Sequence, residues 1–152
     1  PWGDEAERLR AENISSATGA TVLPKLTLSG LAAELAAASG VVAVDTGLGH
    51  LAAALARPTL SIYGPTDPAL SGTYGVTQKH LCSTFACSPC LKKTCTYKGP
   101  AVLENDKAVK PPCFTENPPD AVWQQFEALL AEAALGRPKS YDDTSDYGGV
   151  GK

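Results

Sequence analysis

Six consecutive residues, Asp45-Thr46-Gly47-Leu48-Gly49-His50, set a carboxylate and an imidazole on either side of two glycines. They follow the apolar run Val41-Val42-Ala43-Val44 and open an alanine-rich helical pattern that ends near Arg57. A buried strand thus delivers a tight turn into a helix N-terminus. Such a junction suits anions, because the first-turn N–H groups have no partner within the helix and the positive end of its dipole lies there. Glycine lets a ligand come close to the backbone. The chemistry this spacing suits is binding of a phosphate or diphosphate, although the stretch matches neither the dinucleotide glycine fingerprint nor the lysine-bearing P-loop. An ordinary strand-to-helix turn, with Asp45 or Thr46 as its cap, accounts for the same residues.

A second reactive group is the set Cys87, Cys90, Cys95 and Cys113, within a segment that also carries Lys92, Lys93, Gly99, Pro100, Pro111 and Pro112. Four thiolates satisfy a tetrahedral zinc ion, and a reducing compartment favours metal over disulfides. Only the first pair has Cys-x-x-Cys spacing, and Cys82 is a fifth cysteine. Structural zinc, reduced thiols and disulfides formed after isolation all remain open on spacing alone.

The elements that must position these residues alternate. Asp4 to about Ala17 reads as an amphipathic helix with Ala6, Leu9 and Ile14 as apolar points and Gly19 as its stop. Ala20 to Leu23 reads as a short strand, and Thr27 or Ser29 caps a helix that runs to Ser39 and ends at Gly40. After the strand before Asp45 and its helix comes a second strand, Pro58 to Ile62, stopped by Tyr63-Gly64-Pro65-Thr66-Asp67-Pro68. Asp67 reads as a turn former, and His80 is assigned no role. Alternation of strand and helix predicts a Rossmann-like α/β fold, a parallel sheet with helices on both faces, in which ligands sit beyond the carboxyl ends of the strands. Pro118-Pro119-Asp120 starts a last helix whose Val122, Trp123, Phe126, Leu129, Leu130 and Ala133 form one stripe, expected to pack on its own domain or partly on another.

The 152 residues, 43% of them hydrophobic, suffice for one domain with a core. No stretch resembles a signal peptide or a span of about 18 apolar residues, which predicts a soluble, cytoplasmic chain. The net charge is −3 and no basic cluster interleaves with aromatics, so nucleic acid is not an expected partner. The chain contains no Met and starts at Pro1, and it reads as part of a longer enzyme.

Together, Asp45 to His50, Leu51-Ala52-Ala53-Ala54-Leu55, and Tyr63 to Pro68 resemble the C-terminal half of the lipopolysaccharide heptosyltransferases of glycosyltransferase family nine. Pro1-Trp2-Gly3 with Glu7, and Leu23-Pro24-Lys25, fit in the same order, most closely to the type I enzymes. The resemblance covers roughly residues 1 to 78, and the last helix loosely. It divides the chain into a nucleotide-sugar-binding core (1–78), a cysteine-rich insertion (79–114), a C-terminal helix (115–136) and a tail (137–152) without periodicity, expected to be disordered. The cysteine segment departs from the type I pattern.

The resemblance implies the C-terminal donor-binding domain of a two-domain GT-B glycosyltransferase, which transfers heptose from ADP-heptose to a lipid A–Kdo acceptor with inversion at the inner face of the inner membrane. The N–H groups of Thr46, Gly47 and Leu48 then receive the diphosphate, with His50 near the departing charge. Asp45 orients the turn or contacts heptose hydroxyls, Glu7 holds the ribose hydroxyls and Leu26 lies beside adenine. The bland readings are a cap or Asx turn for Asp45, packing or capping for His50, a solvated helix position for Glu7 and core packing for Leu26. No cofactor for catalysis is implied. The general base is expected in an N-terminal half outside this chain, so the chain by itself is expected to bind donor without transferring it. Two further readings are a GT-B enzyme using another donor, and a zinc-stabilised interaction module.

Overall fold

The computed structural model describes residues 1–104 and 107–136; the tail from 137 lies outside the described residues. Two compact units, Pro1–Ala37 and Ala38 onward, make up the chain.

In the first unit, the Asp4 carboxylate accepts the Glu7 N–H at 2.8 Å and caps α1 (Glu5–Thr18). Gly19 ends the helix in the left-handed region, φ 73°, where a residue without Cβ carries no penalty. The Trp2 indole N–H donates to Leu23 O at 2.8 Å, and the Lys25 ammonium lies 5.7 Å from the Trp2 ring centroid. These contacts tie the start of the chain to the segment before α2 (Leu28–Ala37). Thr27 caps α2 through its hydroxyl, which accepts the Gly30 N–H at 3.2 Å. Neither helix has a buried residue. The strand expected at Ala20–Leu23 does not form: an extended segment becomes a strand only when another pairs with its N–H and C=O groups, and no strand of the unit does so.

The second unit is built on β1 (Val41–Val44), β2 (Thr59–Tyr63) and β3 (Gln78–Cys82), parallel and in that spatial order. Val41 pairs with Thr59, and Thr59 with Gln78, so the three carboxyl ends share one edge. Parallel neighbours need crossovers. The first is α3 (Gly47–Ala54); the second carries the single-turn helix α4 (Pro68–Ser71). α3 ends earlier than its apolar pattern suggests, because Ala56 takes a left-handed conformation, φ 54°. The Ala56 N–H then reaches Ala53 O and the Arg57 N–H reaches Ala52 O.

Strand alternation assigns the two faces. On one, a Cβ at Gly49 would lie 3.3 Å from Ala43 Cβ and 3.7 Å from Ser61 Oγ, so α3 packs closely there because Gly49 has none. On the other, Leu60 is 0% exposed and clusters with Phe126 and Leu129 of α5 (Pro119–Ala134), with Ile62, Leu81, Val122 and Leu130 around them. The apolar stripe of the last helix therefore packs on its own domain, while Trp123 at its margin stays 55% exposed. The third strand falls in the segment read as a cysteine-rich loop. Beyond it lie the antiparallel pair β4 (Leu103–Glu104) and β5 (Lys107–Ala108) and a 3₁₀ turn, Pro112–Glu116.

Candidate functional site

The carboxyl edge of β1 and β2 carries the densest set of polar side chains predicted from the sequence. Asp45 leaves β1, Thr46 is extended at φ −146° and begins α3, and the Thr46 side chain makes no capping bond. The N–H groups of Gly49 and His50 turn back to Thr46 O at 3.1 and 3.3 Å. Those of Gly47 and Leu48 are the first of the helix and have no intrahelical acceptor. Thr46, Gly47 and His50 are exposed, Leu48 is partly buried and Gly49 is buried against the sheet. An exposed helix N-terminus with no side-chain cap is an electropositive surface of backbone donors.

The structure brings Asp45 together with His50 and with a residue the sequence did not single out. Asp45 Oδ1 lies 3.9 Å from His50 Nε2, an ion pair when the imidazole is protonated. Asp45 Oδ2 accepts the Ser71 hydroxyl at 3.1 Å. Ser71 ends α4, whose start is capped by Asp67: its carboxylate accepts the Ala69 N–H at 2.9 Å, the turn-forming role expected of it. Tyr63, the last residue of β2, donates its phenol to Ser71 O at 3.4 Å and accepts the Thr73 N–H at 3.3 Å. Burial pushes the Tyr63 phenol up from its ordinary pKa. His80 Nε2 meets the Thr73 hydroxyl at 2.9 Å and stacks edge-on against Tyr63 at 5.3 Å. A polar chain thus runs from Asp45 through Ser71, Tyr63 and Thr73 to His80. Ser71 lies 26 residues from Asp45, and no local spacing announces the pair.

Glu7 and Leu26 belong to the first unit. Glu7 is exposed, and its carboxylate accepts the Gly3 N–H at 2.7 Å while its own N–H goes to Asp4. Asp4 thus caps the helix, and Glu7 reaches one residue further back than in a capping box, to Gly3. Leu26 is partly buried over the first turn of α2, where a Cβ on Gly30 would lie 3.3 Å from its Cβ.

The cysteine segment is held against the end of β2. The Ser83 N–H donates to Tyr63 O at 2.9 Å and the Leu91 N–H to Pro65 O at 2.8 Å, while the Ser88 hydroxyl donates to Gly64 O. Cys87, Cys90, Cys95 and Cys113 line one cavity of about 120 Å³ with Lys92 and Lys93, and none of these cysteines is disulfide-bonded. Cys82 ends β3, is exposed and does not line this cavity. Cys113 is 5% exposed. Burial pushes its thiol up, and Cys87, Cys90 and Cys95 act in the same direction. Among the described residues, no three His, Cys, Asp or Glu side chains are already arranged to hold a metal ion.

Sheet order and helix placement define an α/β protein with a three-stranded parallel sheet, a class in which ligands sit beyond the carboxyl ends of the strands. Residues 1–100 match glycosyltransferase family 9 (heptosyltransferase), and the chain belongs to that family. It is 53% identical over 137 residues to lipopolysaccharide heptosyltransferase 1 of Pseudomonas aeruginosa, covering 86% of this chain and 38% of that protein. Against lipopolysaccharide heptosyltransferase 1 of Escherichia coli K12 the identity is 52% over 79 residues, 51% of this chain and 25% of the relative. The chain thus spans well under half the length of either relative. Among solved structures, E. coli heptosyltransferase WaaC with ADP superposes with a TM-score of 0.53 at 49% identity, over 55% of this chain and 26% of that one.

Proposed function

We propose that this chain is the ADP-heptose-binding, C-terminal part of a GT-B heptosyltransferase that adds heptose to a lipid A–Kdo acceptor with inversion. The observation that carries the reading is the uncapped α3 N-terminus at the carboxyl edge of the sheet, with Asp45 and His50 beside it. Its occurrence in a chain 53% identical to a heptosyltransferase supports the donor assignment, as does the ADP bound to the related E. coli enzyme.

The backbone donors of Thr46, Gly47 and Leu48 suit the diphosphate, and the helix dipole with His50 stabilises the charge that builds on ADP as the glycosidic bond breaks. Asp45 is unsuited to phosphate, since like charges repel. With one oxygen on Ser71 and the other facing His50, it is placed to orient the imidazole and to accept sugar hydroxyls. Glu7 and Leu26 are proposed for the ribose and the adenine. The base that deprotonates the acceptor belongs to the other half of the enzyme, and the work site is the cytoplasmic face of the inner membrane. No helix among the described residues is long and apolar enough to cross a membrane.

Calorimetric titration with ADP-heptose, ADP and UDP tests the reading. Both adenine compounds are expected to bind saturably and UDP not, with His50→Ala weakening both about tenfold or more and Asp45→Ala weakening ADP-heptose more than ADP. A folded sample that binds neither adenine compound overturns donor binding by this chain. Turnover on a heptose-free lipid acceptor overturns the placement of the base elsewhere.

A further inference from the structure

The fold brings Cys113 back, across 18 residues of chain, to the three thiols between residues 87 and 95. The fifth cysteine is sorted out of the group: Cys82 sits at the end of a paired strand. Four sulfur donors around one cavity match the ligand number and type of a closed tetrahedral zinc site. Soft thiolates with no nitrogen or oxygen partner select zinc over harder cations.

The surroundings suit such a centre as well. Four thiolates on a divalent ion leave a doubly negative group, and Lys92 and Lys93 line the same cavity with two positive charges. Among the described residues, hydrogen bonds to the end of β2 and the Phe85–Tyr97 ring contact hold the segment. Apart from Cys113, the cysteines on it are exposed or half-buried, and Leu91 between them holds a left-handed backbone, φ 56°, with its N–H fixed on Pro65 O. A non-glycine residue in that region is strained and persists only where its surroundings enforce it.

We propose that Cys87, Cys90, Cys95 and Cys113 bind a structural zinc ion that pins the cysteine segment to the carboxyl end of β2. The thiols ring the cavity without yet closing on one point. Closure on one ion therefore needs the cysteine side chains to change rotamer, with the loop following as the metal binds. Each thiol gives its proton to solvent as its Zn–S bond forms, and metal affinity therefore rises with pH. The site is independent of the donor reading, since none of its ligands lies on the Asp45 turn.

The test is metal analysis of the whole chain, purified without chelator or added metal, followed by cobalt substitution. One equivalent of zinc is expected, and cobalt in its place should show the intense visible and near-ultraviolet bands of tetrahedral thiolate coordination. Cys87→Ser and Cys95→Ser, both at exposed positions, should each lower zinc affinity at least tenfold, while Cys82→Ser leaves it unchanged. These variants avoid the buried Cys113, whose loss threatens folding itself. A chain with native circular dichroism that holds no zinc and gives no thiolate–cobalt spectrum overturns the proposal. So does iron as the resident metal, full affinity in Cys87→Ser, or loss of metal in Cys82→Ser.

Discussion

The turn at Asp45–His50 and the segment from Cys87 to Cys113 both gather reactive side chains, but they hold them by different means. The turn is mounted on regular structure. Strand β1 is paired along its length with β2, α3 packs on their shared face, and Leu60, Phe126 and Leu129 fill the other. The cysteine segment has two-residue strands, a 3₁₀ turn and a few hydrogen bonds to the end of β2. Apolar burial fixes the first region without any ligand. The second gathers four thiols around a cavity and, Pro112 and Cys113 apart, leaves them on exposed or half-buried chain, so the proposed zinc would add to its order. A site on rigid elements is ready before its ligand arrives, whereas a site on a loop is completed by it.

The sharpest way to break this contrast is to compare two leucines. Leu60→Ala, at a position 0% exposed, is expected to cost about 2–5 kcal/mol, and Leu91→Ala, 59% exposed within the cysteine segment, less than about 0.5 kcal/mol. Urea midpoints of the two variants decide it, and comparable losses would mean that the cysteine segment carries core energy after all.

Gly64 is where the regions touch. A Cβ there would stand 2.9 Å from Phe114 Cζ and 3.0 Å from Cys113 Sγ. Gly64→Ala should therefore destabilise by about 1–3 kcal/mol and displace Cys113. Its signature is a lower urea midpoint together with faster alkylation of the buried thiol. An unchanged alkylation rate would detach the cysteine segment from the sheet.

Tyr63→Phe should cost about 1 kcal/mol, less than Leu60→Ala, through loss of the phenol's bonds to Ser71 and Thr73. Its test is pH. Burial raises the Tyr63 phenol, so the fold favours the neutral form. That stabilisation is complete below the ordinary phenol pKa, about 10, and is lost as pH rises through the higher folded value. Wild-type stability should fall over that alkaline range with a component that Tyr63→Phe lacks. Identical alkaline profiles would show that the phenol does not bind α4 to β2.

Local pattern decided much of this. The run Val41–Val44, the glycine turn and the alanine-rich helix are periodic over neighbouring residues, and the Asp4, Gly19 and Thr27 caps are set by side-chain chemistry within a few positions. The stripe on the last helix likewise marks Phe126 and Leu129 as the residues that pack on the sheet. Strand β3 was hidden because Gln78-Lys79-His80-Leu81-Cys82 has no apolar run, and only pairing with β2 makes it a strand. The segment at Ala20–Leu23 is the reverse case, an apolar stretch without a pairing strand in its unit.

By itself the sequence determined which residues are able to cap, turn, donate or ligate, since those properties belong to side chains and short spacings. Tertiary structure alone decided that Ser71 holds Asp45, that Tyr63 and Thr73 extend that network to His80, and that four of five cysteines share a cavity. The physical reason is that these contacts join segments separated by chain whose closure entropy is recovered only when the sheet and its core assemble.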